Sequence, residues 1–273
     1  MVCILVESHE ARMIDIHCHI LPGIDDGPHN LETSLEMCAA AAADGVQAIV
    51  ATPHKGMSGY NPSWEAVLEG AEQVERAARE AGHTLRVLPG MEMLLVPELY
   101  HTLHSPRGTL AGSGRYVLFE VPPTLVPPRM DEILFQMRLK QLTPVLAHPE
   151  RNQMIQREPE QAVALAQSGT LLQVTGSSLL GRFGPAAQEC AEFLMRRGAV
   201  HLLASDAHDP VSRPPVLSEA VERAEELLGD RQAALQCVVD VPWKILNGEV
   251  YEPPVPEMEA PPAKSWWRRL LGV

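Results

Sequence analysis

Short apolar runs alternate with longer amphipathic stretches along most of the chain. The runs are apolar at consecutive positions, which predicts strands that are buried on both faces. They cover residues 13–17, 46–52, 85–93, 116–121, 143–149, 171–175 and 200–206. The stretches between them have helical spacing and predict helices at about 31–44, 63–82, 129–141, 158–168, 185–197, 215–228 and 230–238. Asn30, the Asn61–Pro62 pair and Gly45 stand where such helices begin or end.

The repeated order of strand and helix predicts the overall class. Seven such units are typical of an α/β fold with parallel strands. Their span of roughly 240 residues fits a β/α barrel better than a sandwich. With neither an internal repeat nor an interior linker, we expect one domain over residues 13–250. An extension over residues 1–12 precedes it, which leaves Met1 and Met13 as alternative starts, and a Pro-rich tail over residues 251–273 follows it.

Charge and cysteine content narrow the functional classes. Lys and Arg total 22 and Asp and Glu total 35, so the formal net charge is −13. Such an acidic chain is a poor candidate for nucleic-acid binding, so metal ions or a few arginines must attract any anionic substrate. The five cysteines are dispersed and odd in number, which argues against a disulfide framework and predicts the reducing cytoplasm. The sequence predicts neither a transmembrane helix nor a signal peptide.

A histidine, aspartate or glutamate follows nearly every predicted strand. In parallel α/β barrels the carboxyl ends of the strands form the rim where active sites are built. Residues two apart on extended chain project to one side, so His17 and His19 can reach one ion, and so can Asp206 and His208. The full set holds five imidazoles and four carboxylates: His17, His19, Asp26, His54, Glu92, Glu120, His148, Asp206 and His208.

Together these residues predict a metal centre, although each one alone is more often a packing, capping or solvated side chain. Converging carboxylates raise one another's pKa, and divalent cations relieve that cost. Mixed nitrogen and oxygen ligands suit Mn, Fe or Zn. Nine ligands are too many for one ion and fit two or three ions with shared carboxylates, which suggests a hydrolase that activates water.

Five segments resemble the PHP (polymerase and histidinol phosphatase) family. The resemblance is to its manganese-dependent protein-tyrosine phosphatases, encoded beside bacterial capsule and exopolysaccharide genes. The segments, within about residues 13–248, are MIDIHCHILPGIDDGP, ATPHKG, LPGMEM, LAHPERN and LLASDAHDPVSRPP. The resemblance implies a distorted seven-stranded TIM-like barrel, two or three Mn²⁺ ions and hydrolysis of phosphotyrosine by metal-activated water. It also implies a protein substrate, the tyrosine-rich tail of a bacterial kinase that controls polysaccharide export.

The resemblance also implies roles for single residues. The nine ligands fall into sets for a first, a second and a third ion: His17, His19, Glu92 and Asp206; Glu92, Glu120 and His148; Asp26, His54 and His208. Arg151 and Arg213 would be the catalytic residues that bind the phosphoryl oxygens, because a guanidinium is planar and stays charged. Asp25 would stand behind the ligands, and Lys55 and Tyr60 are candidate substrate contacts.

Other functions remain open at this point. Within the same family, the substrate could be a small molecule such as histidinol phosphate, or the enzyme could be a phosphodiesterase. A metal-dependent amidohydrolase also carries HxH after its first strand, and a non-catalytic scaffold is a further class. Cys190 and Arg196 match the C-x5-R spacing of thiol phosphatases, but QECAEFLMRRG lacks the glycines of such a loop and predicts an amphipathic helix.

The end of the chain differs from the rest in composition. From Glu252 it is Pro-rich, and its last ten residues hold Lys264, Arg268, Arg269, Trp266 and Trp267 without an acid. This composition predicts an extended, disordered end or a weak docking peptide for a membrane surface or a partner. The oligomeric state stays open, a homo-oligomer included.

Overall fold

The computed structural model describes residues 13–96, Leu99 and residues 106–256. The predicted extension over residues 1–12 and the Trp- and Arg-containing end of the tail lie outside the described residues. Within them the strands are β1 (Met13–Cys18), β2 (Val46–Ala51), β3 (His54–Lys55), β4 (Arg86–Pro89), β5 (Glu92–Leu94), β6 (Tyr116–Glu120), β7 (Thr143–Ala147), β8 (Leu171–Thr175) and β9 (Leu202–Ala204).

Ten α-helices connect and flank these strands in the part of the chain that the structure describes. They are α1 (Leu31–Ala43), α2 (Trp64–Glu80), α3 (Met130–Leu139), α4 (Gln153–Arg157), α5 (Glu160–Gln167), α6 (Gly176–Leu179), α7 (Pro185–Arg196), α8 (Ser218–Leu228), α9 (Arg231–Gln236) and α10 (Asp240–Leu246). The seven predicted helices are confirmed, with α1 and α2 capped by the side chains of Asn30 and Ser63. The additional helices α4, α6 and α10 have four to seven residues, too few to show a helical period.

All strand pairs among the described residues are parallel. One sheet has the order β1-β2-β4 and the other has the order β3-β5-β6-β7-β8-β9. The predicted α/β class with parallel strands is therefore confirmed. All seven predicted runs carry strands. The run 85–93 breaks into β4 and β5, and the short strand β3 follows the run 46–52, so the described residues hold nine strands where seven were expected.

The two breaks have local causes. After β2, Pro53 has no N–H to donate to a strand ladder, and pairing resumes at His54. Between β4 and β5, a Cβ on Gly90 would lie 2.7 Å from Cγ1 of Val50, so only glycine fits this crossing. As a result β3 and β5 join the second sheet, where His54 is the direct register partner of Glu92.

An irregularity near the end of β1 turns His17 and the following His19 toward the site. The pairing of β1 with β2 shifts register between Asp15 and Cys18. Ile14 and Ile16 belong to a hydrophobic cluster formed by alternate residues of strands in both sheets. Cys18 instead lies in the larger hydrophobic cluster, which also contains helix residues. A bulge re-aims side chains in this way, so Cys18 packs away from its two flanking histidines, as predicted.

The first residues of the predicted tail pack against the domain. The backbone N–H of Tyr251 donates to the hydroxyl of Tyr116 at 3.1 Å. The carbonyl of Pro256 accepts from the side-chain amide of Gln167 at 2.9 Å. Residues 251–256 thus form neither helix nor strand and are anchored to the domain. Among the described residues, no helix has the length and apolar character that crossing a membrane requires.

Candidate metal centre

The nine predicted ligands meet at the carboxyl ends of the parallel strands. His17, His54, Glu92 and Glu120 belong to β1, β3, β5 and β6, and the other five follow strands in the next loops. All are buried or nearly so except Asp26, whose side chain is 49% exposed. The strands alone bring these distant parts of the sequence together, as the strand-end pattern predicted.

The carboxylate of Glu92 lies at the middle of the cluster. Its Oε2 atom is 3.4 Å from Nε2 of His17 and of His19, and 2.9 Å from Nδ1 of His54. Its Oε1 atom is 2.8 Å from Nε2 of His148. One fully buried carboxylate therefore faces four imidazoles, which is the position of a ligand shared between ions.

Asp206 links the imidazoles to two arginines. Its Oδ1 atom is 3.5 Å from Nε2 of His17 and of His19. Its Oδ2 atom accepts from Arg151 Nη1 and, at 2.7 Å, from Arg213 Nη2. Asp206 has φ +51°, a left-handed conformation that costs energy for a residue with a Cβ. His148 has φ +34°, so backbone strain occurs at two of the nine predicted ligands.

Asp26 and His208 form the outer, more exposed side of the cluster. Oδ1 of Asp26 lies 3.4 Å from Nε2 of His208 and 3.6 Å from Nε2 of His54. The same His54 lies 3.0 Å from Oε1 of Glu120 through its other nitrogen. His54 thus faces both the outer set and the set around Glu92, a sharing that the sequence did not predict.

The donor atoms fit divalent ions. Three groups have their ligand atoms within 4.8 Å of one another: His19, Asp26, His54 and His208; His17, His19 and Glu92; His54, Glu92 and Glu120. Nδ1 of His54, Oε2 of Glu92 and Oε1 of Glu120 are buried without a hydrogen bond of acceptable geometry. Buried polar atoms normally find partners, so three that converge without one indicate cation ligands. Nitrogen and oxygen donors without a thiolate suit Mn, Fe or Zn.

Burial and neighbouring charges both shift the pKa values of the side chains in this cluster. Burial alone would lower the pKa of His17, but the charges of Glu92 and Asp206 outweigh it and raise that pKa. Burial would raise the pKa of Asp206, yet His17, His19 and the arginines hold it well below its usual range. For His208, burial and the charge of His19 lower the pKa to about 3, which keeps this imidazole neutral, as a metal ligand must be.

Two side chains orient His17 and His19 from behind. Nδ1 of His17 lies 2.9 Å from Oε1 of Gln173, and Nδ1 of His19 lies 2.7 Å from Oδ2 of Asp25. Both acceptors fix the proton on Nδ1 and leave Nε2 free to bind an ion. Asp25 was predicted to stand behind the ligands. Gln173 was missed, although a single polar residue in the apolar strand LLQVT was a usable signal.

The cluster forms the floor of an open cleft of about 410 Å³. Arg151 and Arg213 line it with side chains 29% and 28% exposed, so both can meet a ligand. Met57 and Ser58 form part of the wall, whereas Lys55 donates to Asn61 and Pro62 outside the cleft. Tyr60 is also absent from the lining and lies with its ring 6.3 Å from that of His54.

Cys190 does not belong to this site. It lies inside α7 with Arg196, so the predicted amphipathic helix is confirmed. The thiol is buried, and burial raises its pKa to about 12. Nucleophilic thiols are deprotonated and accessible, which excludes Cys190 from the role that its C-x5-R spacing suggests.

Comparisons with known proteins find consistent relatives. A family described as "Capsular polysaccharide synthesis, CpsB/CapC" matches residues 13–247. Tyrosine-protein phosphatase YwqE of Bacillus subtilis is 36% identical over 217 residues, which is 80% of this chain and 85% of that protein. Tyrosine-protein phosphatase CpsB of Streptococcus pneumoniae is 28% identical over 243 residues, which is 87% of this chain and 100% of that protein.

A solved structure is similar over nearly the whole described fold. It comes from work on YwqE of Bacillus subtilis and CpsB of Streptococcus pneumoniae, described as metal-dependent tyrosine phosphatases. It has 32% sequence identity and a TM-score of 0.85, and the match covers 91% of this chain and 100% of that one.

Proposed function

The chain belongs to the CpsB/CapC family of capsular polysaccharide synthesis proteins, and we propose that it is a metal-dependent protein-tyrosine phosphatase. It is a phosphoric monoester hydrolase of the PHP type, and its context is capsule or exopolysaccharide synthesis. One observation in the structure carries this function: Arg151 and Arg213 reach the same oxygen of Asp206 at the edge of the imidazole and carboxylate cluster. The arginines and metal ions bound by the cluster would then face one cleft, and this arrangement of cations suits a negatively charged phosphate ester.

The ligand assignment is part of the proposal. His17, His19, Glu92 and Asp206 would hold one ion, and Glu92 would also contribute to a second ion with Glu120 and His148. Asp26, His54 and His208 would hold the third, and His54 also faces Glu92 and Glu120. Mn²⁺ is the proposed metal, in two or three copies. Such ions, when bound, activate water for attack on phosphorus and neutralise charge on the ester oxygens.

The arginines bind and orient the phosphoryl group. Each guanidinium can donate two parallel hydrogen bonds to phosphoryl oxygens, and Asp206 keeps both of them directed toward the cluster. Charge that develops on the phosphoryl oxygens is stabilised most by donors already in place, because they need no reorganisation during the reaction. Arg151 and Arg213 are therefore the proposed catalytic residues of this chain.

The openness of the cleft suits a protein substrate. Asp26 is half-exposed and both arginines are partly exposed, so a phosphotyrosine on a flexible segment can reach the floor. The proposed partner is the tyrosine-rich tail of a bacterial kinase that controls polysaccharide export. The proposed location is the cytoplasm, since such a tail and buried free thiols both fit a reducing compartment.

We further propose that the two sheets close into a distorted seven-stranded barrel over residues 13–250. Two contacts support closure between β1 and the segment after β9. The N–H of Asp206 donates to the carbonyl of His17 at 2.9 Å, and the N–H of His19 donates to the carbonyl of Ala207 at 2.8 Å. Counting β2 with β3 and β4 with β5 as single bent strands gives the seven.

Hydrolysis of a defined set of substrates tests the function. The full chain is loaded with Mn²⁺ and supplied with a phosphotyrosine peptide, the same peptide with phosphoserine, and histidinol phosphate. We expect phosphate release from the phosphotyrosine peptide at the highest kcat/KM, and its loss with a chelator. Cys190→Ala serves as the matched control and is expected to keep its activity, because its thiol is buried in a helix.

Other outcomes would replace the proposal. Equal or better turnover of histidinol phosphate would make the protein a small-molecule phosphatase. Failure to release phosphate from any substrate with manganese present would favour the amidohydrolase class. Loss of activity in Cys190→Ala, with the fold intact by circular dichroism, would favour a thiol mechanism.

A further inference from the structure

The ring of Phe183 lies against both arginines of the cleft. Its centroid is 4.5 Å from Cζ of Arg151 and 5.6 Å from Cζ of Arg213. The ring is half-buried and lines the cleft wall, outside the groups of predicted metal ligands. Phe183 therefore faces the two groups that bind phosphate rather than the groups that bind metal.

A fixed turn presents this ring. Phe183 stands between α6 and α7, flanked by Gly181 and Gly184 with φ of +75° and +87°. Residues with a side chain rarely adopt such angles, so the glycines allow the chain to reverse here. The neighbouring Arg182 anchors the turn, because its N–H donates to the carbonyl of Ser177 at 3.0 Å and its guanidinium pairs with Glu219 at 2.6 Å.

Glu150 joins this turn to the segment that carries Arg151. Its Oε1 atom accepts from the N–H of Thr175 at 3.1 Å and from the hydroxyl of Ser178 at 2.7 Å. Glu150 is fully buried and directly precedes Arg151, whereas Ser178 lies five residues before Phe183. The same two segments thus meet twice, once through this buried bond and once through the stacked guanidinium and ring.

An aromatic ring at this place has a physical reason, because two positively charged guanidiniums lie close together here. Arg151 and Arg213 both donate to one oxygen of Asp206, so their guanidiniums repel each other across a short gap. The face of an aromatic ring carries negative charge density and attracts cations. It also gives a guanidinium a flat surface that limits its rotamers, which reduces the entropy lost when phosphate binds.

We propose that Phe183 is a positioning residue that holds the guanidiniums of Arg151 and Arg213 in the orientation that binds the phosphoryl group. The proposal rests on the proposed phosphatase function and adds a residue to it. Phe183 acts through the arginines, so its effect extends to every phosphoryl ligand of the cleft, whatever group the ester carries.

The experiment compares three variants in the Mn²⁺-loaded full chain. Phe183→Leu removes the ring face and Phe183→Trp keeps one. Phe193→Leu is the matched control, because the partly buried ring of Phe193 lies 4.9 Å from Cζ of Arg197, outside the cleft lining. Calorimetric titration measures the affinity for inorganic phosphate, and kinetics measure KM and kcat for a phosphotyrosine peptide and for an alkyl phosphate.

We expect Phe183→Leu to weaken phosphate binding by about threefold to tenfold, the size of a partly exposed cation–π contact. KM should rise by a similar factor for both esters, with a smaller change in kcat. Phe183→Trp should restore both values, and Phe193→Leu should leave them unchanged. In an Arg151→Lys background, Phe183→Leu should weaken phosphate binding less than it does in the parent, because one of the two guanidiniums that face the ring is already gone.

Two results would overturn the inference. A rise in KM for the phosphotyrosine peptide alone, with unchanged phosphate affinity, would mean that Phe183 contacts the substrate ring. Unchanged phosphate affinity and unchanged KM would remove any role in binding. If the parent protein binds phosphate but hydrolyses neither ester, the phosphatase function fails, while the calorimetric comparison still tests Phe183.

Discussion

Gln173 accepts a hydrogen bond from Nδ1 of His17 at 2.9 Å, and this contact joins two strands that lie far apart in the sequence. It leaves Nε2 of His17 facing Glu92 and Asp206. The contact therefore determines which nitrogen of a β1 histidine is free to bind an ion. Acceptors behind metal-bound histidines set the tautomer and raise the basicity of the ligand.

Gln173→Met should weaken Mn²⁺ binding by about 10- to 100-fold, because it removes the acceptor while it keeps the side-chain length. Gln173→Glu is the matched control, since it keeps an oxygen at the same place and should stay closer to the parent. Equilibrium dialysis with elemental analysis measures the affinity. Equal affinity of the parent and the Met variant would mean that His17 is oriented without Gln173.

Glu92→Gln should lower activity by more than about 100-fold, since Glu92 faces four imidazoles and the loss of an outer partner alone costs up to about that factor. The variant should also bind fewer ions per chain. A ligand that binds only the folded state raises the melting temperature, so chelation should lower Tm less in the variant than in the parent.

Glu225→Gln is the control for this change, because Glu225 pairs with Arg231 on the surface, and it should match the parent in every measurement. A Glu92→Gln variant with the parent's full metal content would show that Glu92 is not a ligand.

Arg213→Lys and Arg151→Lys should each lower kcat/KM for a phosphotyrosine peptide by about 10- to 100-fold, the worth of a charge-assisted hydrogen bond. Lysine keeps the charge but cannot donate two parallel hydrogen bonds to one phosphoryl group. Metal content should stay unchanged. Arg231→Lys, which alters an arginine that pairs with Glu225 on the surface, should have little effect. An unchanged KM and kcat in both cleft variants would contradict their assignment.

The position of each strand end was enough to predict which side chains meet at the candidate metal centre. Because parallel strands end at one rim, the positions of His17, His148 and Asp206 implied their meeting without any knowledge of distances. The same rule could not predict that His54 faces Glu120 as well as Asp26. That sharing depends on the sheet break at Pro53, which shifts His54 into a second sheet and into register with Glu92.

Contacts between distant elements could not be predicted from the sequence for a related reason. His17 and Gln173 are separated by 156 positions, and their contact depends on how β1 and β8 are staggered relative to each other. The ring of Phe183 meets two arginines through a turn shaped by glycines, and a lone aromatic in a loop carries no periodic signal. Periodicity reports which face of an element is buried, whereas partners depend on the register between elements.

The burial of His201 predicts that the free energy of unfolding falls in acid, independently of the metal centre. Its side chain is buried, Nδ1 accepts from the N–H of Leu172 at 3.0 Å, and Nε2 has no partner. Burial lowers the pKa of His201 from 6.5 to about 4. Between these values the unfolded chain binds a proton that the folded chain does not, so stability falls as the pH falls through this window.

The size of this effect follows from the shift. At 1.36 kcal/mol per pKa unit, the contribution amounts to about 3 kcal/mol of the free energy of unfolding, present above pH 6.5 and lost by about pH 4. His201→Asn keeps an acceptor near the Nδ1 position and does not titrate, so its stability should fall less over the same range. Urea unfolding of both proteins with excess chelator measures the difference, and His29→Asn at an exposed site should follow the parent. Parallel curves for the parent and His201→Asn would show that another buried group accounts for the acid sensitivity.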